Sequence, residues 1–173
     1  MARRSWADPH AHAKPMSTPA PPPQQLPIEA QWCLPTAAPT ASRGGACIQL
    51  EVARTAQQQS RGLMGRPPLP PLRGMWFPYS EPMVLKFWMH QTPSPLDMLF
   101  LRSGRVIAIE ANTAPCLRLP CRSYGPDEPA DGVVELAAGQ AVQLGIRVGS
   151  SAPIQPLPVL RPKAAAPATP GRD

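Results

Sequence analysis

Apolar and polar residues alternate along much of the middle of the chain. In Cys47-Ile48-Gln49-Leu50-Glu51-Val52 the period of two puts Ile48, Leu50 and Val52 on one face of a strand, and that face is expected to be core. Residues 84–89 repeat the pattern, with Leu85, Phe87 and Met89 on one side and Val84, Lys86 and Trp88 on the other. Two apolar runs, 96–101 and 105–110, flank Arg102-Ser103-Gly104, a short glycine-containing connection that predicts an antiparallel hairpin. Weaker strand patterns cover 28–34, 133–136 and 154–157, the last placed to close the sheet.

Helical signals are few and short. Thr55-Ala56-Gln57-Gln58 is a capping box: the Thr hydroxyl takes an orphan helix amide while the Gln side chain reaches back. With Gly65 as the stop, it predicts a helix over 56–64. A second short helix is expected over 139–144, capped by Gly145. Pro67-Pro68-Leu69-Pro70-Pro71 admits neither a helix nor a central strand, so it reads as an extended loop leading to Gly74-Met75-Trp76-Phe77. Residues 111–131 read as a long loop. Six or so short strands and two short helices give a β-rich α+β domain, a curled antiparallel sheet or partly closed small barrel.

Composition sets the limits of that domain. Of the 27 prolines, seven fall in residues 1–27 among Ala, Ser and Gln, and 159–173 is similarly Pro/Ala-rich. Neither end has the apolar surface to offset its ordering entropy, so both are expected to be disordered tails around a single domain at 28–158. The net charge of +6 is mostly in those tails: Arg3, Arg4, Lys14, Arg161, Lys163 and Arg172 against Asp8 and Asp173 leave the core at +2. No core segment interleaves Lys or Arg with aromatics as a phosphate-tracking groove would, so nucleic acid is not an expected partner. No apolar run is long enough for a transmembrane helix, and Ser5-Trp6-Ala7-Asp8 stands where a signal peptide needs an apolar stretch. As written, the chain is expected to be cytoplasmic; export to the periplasm is the alternative if translation starts elsewhere.

Several segments, in order, resemble a known family: Leu50-Glu51-Val52-Ala53-Arg54-Thr55, Arg61-Gly62-Leu63-Met64-Gly65-Arg66, Gly74-Met75-Trp76-Phe77, Phe87-Trp88-Met89, Pro95-Leu96-Asp97-Met98, Tyr124-Gly125, Val134-Glu135-Leu136 and Leu144-Gly145-Ile146. Across about 48–157 the chain is similar to the prokaryotic domain of unknown function 192. The resemblance implies a compact β-rich fold with short helices, no established activity, and relatives that are often exported. The chain departs from it at His90-Gln91, where Lys-Asn is more usual, and at Trp76, where a smaller apolar residue is.

The densest chemistry lies in residues 87–98, which hold Phe87, Trp88, His90 and Asp97. A carboxylate between Leu96 and Met98 is costly to bury unless hydrogen-bonded, so Asp97 either accepts amides of the Pro93-Ser94-Pro95 turn or orients a ligand with His90. Trp88, with Trp76, could offer a flat apolar floor to a ligand. Arg61 and Arg66 flank the end of the first helix, where cations favour its negative pole, and Arg61 is the candidate for an anionic ligand. Cys116 and Cys121 are the disulfide candidate; their spacing fits neither a zinc knuckle nor a thioredoxin-like motif, and no metal or cofactor is expected. A bond closing so small a loop contributes about 2 kcal/mol by loop entropy.

These residues predict a small-ligand or partner-binding accessory module, monomeric, with Trp88, His90 and Asp97 at the mouth of the sheet, Arg61 beside them, and the loop from Cys116 to Tyr124 as the rim. The alternatives are a hydrolase-like enzyme with His90 and Asp97 as acid–base pair, and a purely structural envelope-associated protein.

Overall fold

The computed structural model describes residues 22–35 and 45–158; the expected disordered tails fall mostly on residues 1–21 and 159–173, outside those described. Among the described residues, nine strands and two short helices follow in the order β1 (Ile28–Cys33), β2 (Cys47–Val52), α1 (Ala56–Arg61), β3 (Arg73–Met83), β4 (Phe87–Trp88), β5 (Leu96–Arg102), β6 (Arg105–Thr113), β7 (Ser123–Tyr124), β8 (Ala130–Ala137), α2 (Gln140–Gln143) and β9 (Ile154–Pro156). Seven strands form one sheet in the order β6-β5-β8-β3-β2-β1-β9, and β4 pairs with β7 in a separate ribbon. The predicted β-rich architecture is therefore present, as a large curled sheet not closed into a barrel.

One pairing differs from an all-antiparallel sheet. β2 and β3 run parallel, Leu50 opposite Gly74 and Val52 opposite Trp76. A parallel neighbour needs a crossover connection, and the segment carrying α1 and the proline loop supplies it. The segment before β9 closes the curl: Gly149 donates a backbone bond to Val106 on β6, Ala152 donates one to Gly104 in the β5–β6 turn, and β9 immediately beyond pairs with β1.

The predicted hairpin joins β5 and β6. Ser103 and Gly104 both have positive φ, 50° and 70°, the two left-handed residues of a turn whose twist matches its flanking strands. β5 is buried from Leu96 through Leu101, which is why its sequence reads as an unbroken apolar run rather than an alternation. Leu99 and Leu101 join Trp32, Ile48, Leu50, Val134 and Leu136 on one face of the sheet. Met98 and Phe100 join Met75, Phe77, Met89 and Val133 on the other. Phe87 and Tyr124 pack at this second face, whereas Asp97 lies on the side of β5 that carries Leu99 and Leu101.

Residues 22–27, assigned by composition to the N-terminal tail, lie along α1. Gln24 donates to the carbonyls of Gln58 and Gly62, both at 2.9 Å, and the Leu26 amide donates to Glu51 at 2.9 Å.

Candidate functional site

Helix α1 begins as the capping box requires: Gln58 N donates to Thr55 Oγ1 at 3.1 Å and Thr55 N to Gln58 Oε1 at 3.0 Å. It stops at Arg61, sooner than expected, because Gly62 already turns to φ 43° and Gly65 only ends the turns that follow. Gly65 N then donates to Gln91 O at 2.8 Å, which ties the end of the helical segment to the stretch just after β4. A cleft runs between them.

The β4–β7 ribbon holds the opposite wall. Phe87 pairs with Tyr124 and Trp88 with Ser123, and His90 bridges to Cys116. Gly125 makes this possible: at φ 131° any Cβ there would lie 2.5 Å from the Leu85 carbonyl and 2.9 Å from the Phe100 ring. Phe87 packs edge-on to both Phe77 and Phe100, at 5.1 and 6.1 Å between centroids, leaving Trp88 half exposed above. Its indole lies 5.5 Å from the His90 ring.

Three hollows adjoin along the cleft, and Ser60 lines all three. The widest, about 600 Å³, lies between Arg61, Met64, Gln91 and Pro22. A second of about 200 Å³ lies between Trp88, Tyr79, Lys86 and Gln59. Between them a hollow of about 30 Å³ is lined by Phe77, Phe87, Trp88, Thr92, Arg61 and Glu135.

Glu135 is the residue that the sequence reading passed over. It sits in the middle of β8, opposite Met75 of β3 and Met98 of β5, on the face that carries the second core cluster. Only 5% of it is exposed, and its carboxyl accepts no hydrogen bond from the described residues. Burial alone pushes that carboxyl up to about 8, so it is neutral at pH 7 and offers one donor and one acceptor. Tyr79 nearby is raised as well, by its own burial first and by Glu135 second. The signal was a lone acid inside the apolar run Val133-Val134-Glu135-Leu136.

The other candidates are not all brought together. Asp97 is 1% exposed, with Oδ1 accepting Asn112 N and Oδ2 accepting Ala141 N, both at 2.9 Å. These are amides of β6 and α2, not of the preceding proline turn. No hydrogen bond joins Asp97 to His90 among the described residues, and both Asp97 oxygens are taken by backbone amides. Tyr124 is buried; its hydroxyl accepts the Ala114 amide at 3.2 Å, and Arg122 lies over its ring. Trp76 packs against the first core face, apart from Trp88. Arg61 borders the cleft and donates to the Pro22 carbonyl, whereas Arg66 leaves the helix end to clasp Glu51 with two bonds of 2.7 and 2.9 Å.

Cys116 and Cys121 are joined by a disulfide, and a second one, not foreseen, links Cys33 to Cys47 across the β1–β2 pair. Both cysteines of that second bond sit at register partners of adjacent strands, a relation invisible until the pairing is known.

Residues 38–154 match the family described as an uncharacterized ACR, domain of unknown function 192. The chain belongs to this family. Among solved structures, it is similar to a protein of unknown function from Novosphingobium aromaticivorans DSM 12444. That match has 30% identity and a TM-score of 0.59, covering 73% of this chain and 83% of the other. A protein from Sinorhizobium meliloti 1021, provisionally assigned as a transcription regulator, is 29% identical with a TM-score of 0.60, covering 74% and 92%. No curated protein matches the chain.

Proposed function

We propose that this domain of unknown function 192 member is a small-ligand-binding module whose site is the cleft between α1 and β4. The observation that carries the reading is Glu135, a residue 5% exposed on an apolar sheet face, its carboxyl without a hydrogen bond among the described residues, at a hollow that the half-exposed Trp88 also lines. A carboxyl set in an apolar sheet face yet touching a hollow is placed to pair with a molecule that enters it. The surroundings suit a ligand: Trp88 offers a flat apolar face, Gln59 and Ser60 offer polar atoms, and adjoining space of about 200 Å³ accommodates a small molecule. His90 stands beside Trp88 at the rim, and Arg61 at the far end.

Two disulfides support residence in an oxidising compartment, where such bonds persist. Among the described residues no helix is long and apolar enough to cross a membrane.

A thermal-shift screen of small polar and aromatic compounds tests the reading. Compounds that raise the melting temperature of the wild type should lose that effect on Trp88→Ala, whose exposed side chain can be removed without opening the core. If no compound discriminates the two proteins, the cleft is not a ligand site.

A further inference from the structure

We infer that the cleft takes an alkylammonium group, from a free amine or a lysine side chain, which enters the hollow under Trp88 and pairs with the Glu135 carboxylate. The inference rests on the ligand-binding reading and adds the chemistry of the ligand. Three observations carry it.

The first is charge. No ion pair joins Glu135 to a cation among the described residues: Lys86 is engaged by Asp127 at 2.9 Å and by the Gly125 carbonyl at 2.7 Å, and Arg61, which lines the same hollow and keeps its charge, is turned to the Pro22 carbonyl. The second is the lining. Phe77, Phe87 and Trp88 surround the same hollow, and the negative faces of aromatic rings attract an ammonium while disfavouring an anion. The third is size. About 30 Å³ admits one ammonium-sized group, and the 200 Å³ space beside it, walled by Trp88 and Tyr79, admits the carbon chain that bears it. A neutral hydroxyl could bond to Glu135, but it would draw nothing from the rings.

Binding carries a proton step. The incoming group keeps its own protons, the Glu135 carboxyl loses one to the buffer, and an ion pair forms. The other titratable groups lining these hollows are Tyr79 on β3, Arg61 at the end of α1 and Lys86 before β4, with the His90 ring 5.5 Å from the Trp88 indole; opposite Glu135, β5 contributes Met98 and no charge.

Calorimetric titration of the full chain tests this with three probes: 1,5-diaminopentane, the peptide acetyl-Gly-Lys-Gly-amide, and 1,5-pentanediol as the uncharged counterpart. At pH 7, in two buffers of different ionisation enthalpy, amine binding should release about 0.9 proton, since a group titrating at about 8 is mostly protonated there. Affinity should rise roughly tenfold from pH 6 to pH 7. Glu135→Gln, close to isosteric, should weaken the amines at least tenfold. The tighter of diamine and peptide identifies the source of the ammonium. Equal binding of diol and diamine, or amine binding without proton release, overturns the ammonium while leaving the ligand site standing. Failure of all three probes overturns it too, and the thermal-shift screen then decides whether the cleft binds anything. Proton release is read on the wild type, so the outcome does not depend on the variant folding.

Discussion

Three buried acids lie among the described residues, and each is accommodated differently. Asp97 gives both oxygens to backbone amides of β6 and α2. Glu51 takes a two-pronged Arg66 and the Leu26 amide. Glu135 has neither among the described residues, and burial pushes its carboxyl up to about 8. These arrangements predict different mutational costs. Asp97→Ala strands two amides and should cost roughly 2–5 kcal/mol in urea unfolding; a loss under about 0.5 kcal/mol would mean that water reaches those amides. Arg66→Ala leaves Glu51 buried without its cation and should cost about 3–5 kcal/mol by the same measurement, with Arg66→Lys recovering only part because one prong is lost. An unchanged midpoint for Arg66→Ala would show that Glu51 is solvated once the arginine is gone.

Among the elements, the shortest are held from outside. β4 is two residues long, yet its flanks alternate as the sequence predicts, with Leu85 and Met89 buried and Val84, Lys86 and Trp88 exposed. The ribbon with β7 and the bonds from Gln91 and Cys116 keep that alternation in place where no longer ladder exists. The two disulfides close loops of different size. By loop entropy the Cys33–Cys47 bond, fourteen residues apart, contributes about 3 kcal/mol and the Cys116–Cys121 bond, five apart, about 2 kcal/mol. Serine pairs at 33/47 should therefore destabilise the domain more than serine pairs at 116/121. The reverse order in denaturant melts would show that the rim loop supports more of the fold than its size implies.

For the whole molecule the consequence of Glu135 is a stability that depends on pH. Its carboxyl binds a proton up to about pH 8 when folded but only to about 4.5 when unfolded, so the folded state holds the extra proton between those values. Its stabilising contribution is complete below about pH 4.5 and is lost as pH rises through about 8, on the order of 5 kcal/mol at most. Glu135→Gln removes this slope: the variant should gain stability over the wild type from pH 6 to pH 9. Parallel unfolding curves for the two proteins across that range would show that the acid is solvated. Residues 22–27 belong to the same whole, since Gln24 serves carbonyls at the end of α1, and truncation past residue 24 should lower the melting temperature where truncation to residue 22 does not.

Much of the fold was legible because its signals are local. The alternation of β2, the turn residues between β5 and β6, and the capping box of α1 each act over a few residues, so their energetics are written in adjacent positions. The family resemblance was legible for the same reason, as short motifs in order. The parallel pairing of β2 with β3, the Cys33–Cys47 bond and the packing of residues 22–27 on α1 depend on contacts between distant segments, which no local pattern encodes. The site divides along that line. Trp88 and Arg61 could be picked out by residue type and position, and both do border the cleft. Asp97 could be seen to be costly to bury, but which amides receive it was decided by how β6 and α2 pack. Glu135 looked like one acid in an apolar strand, and only the tertiary structure decided that Met75 and Met98 flank it, that its carboxyl has no hydrogen bond among the described residues, and that it shares a hollow with Trp88.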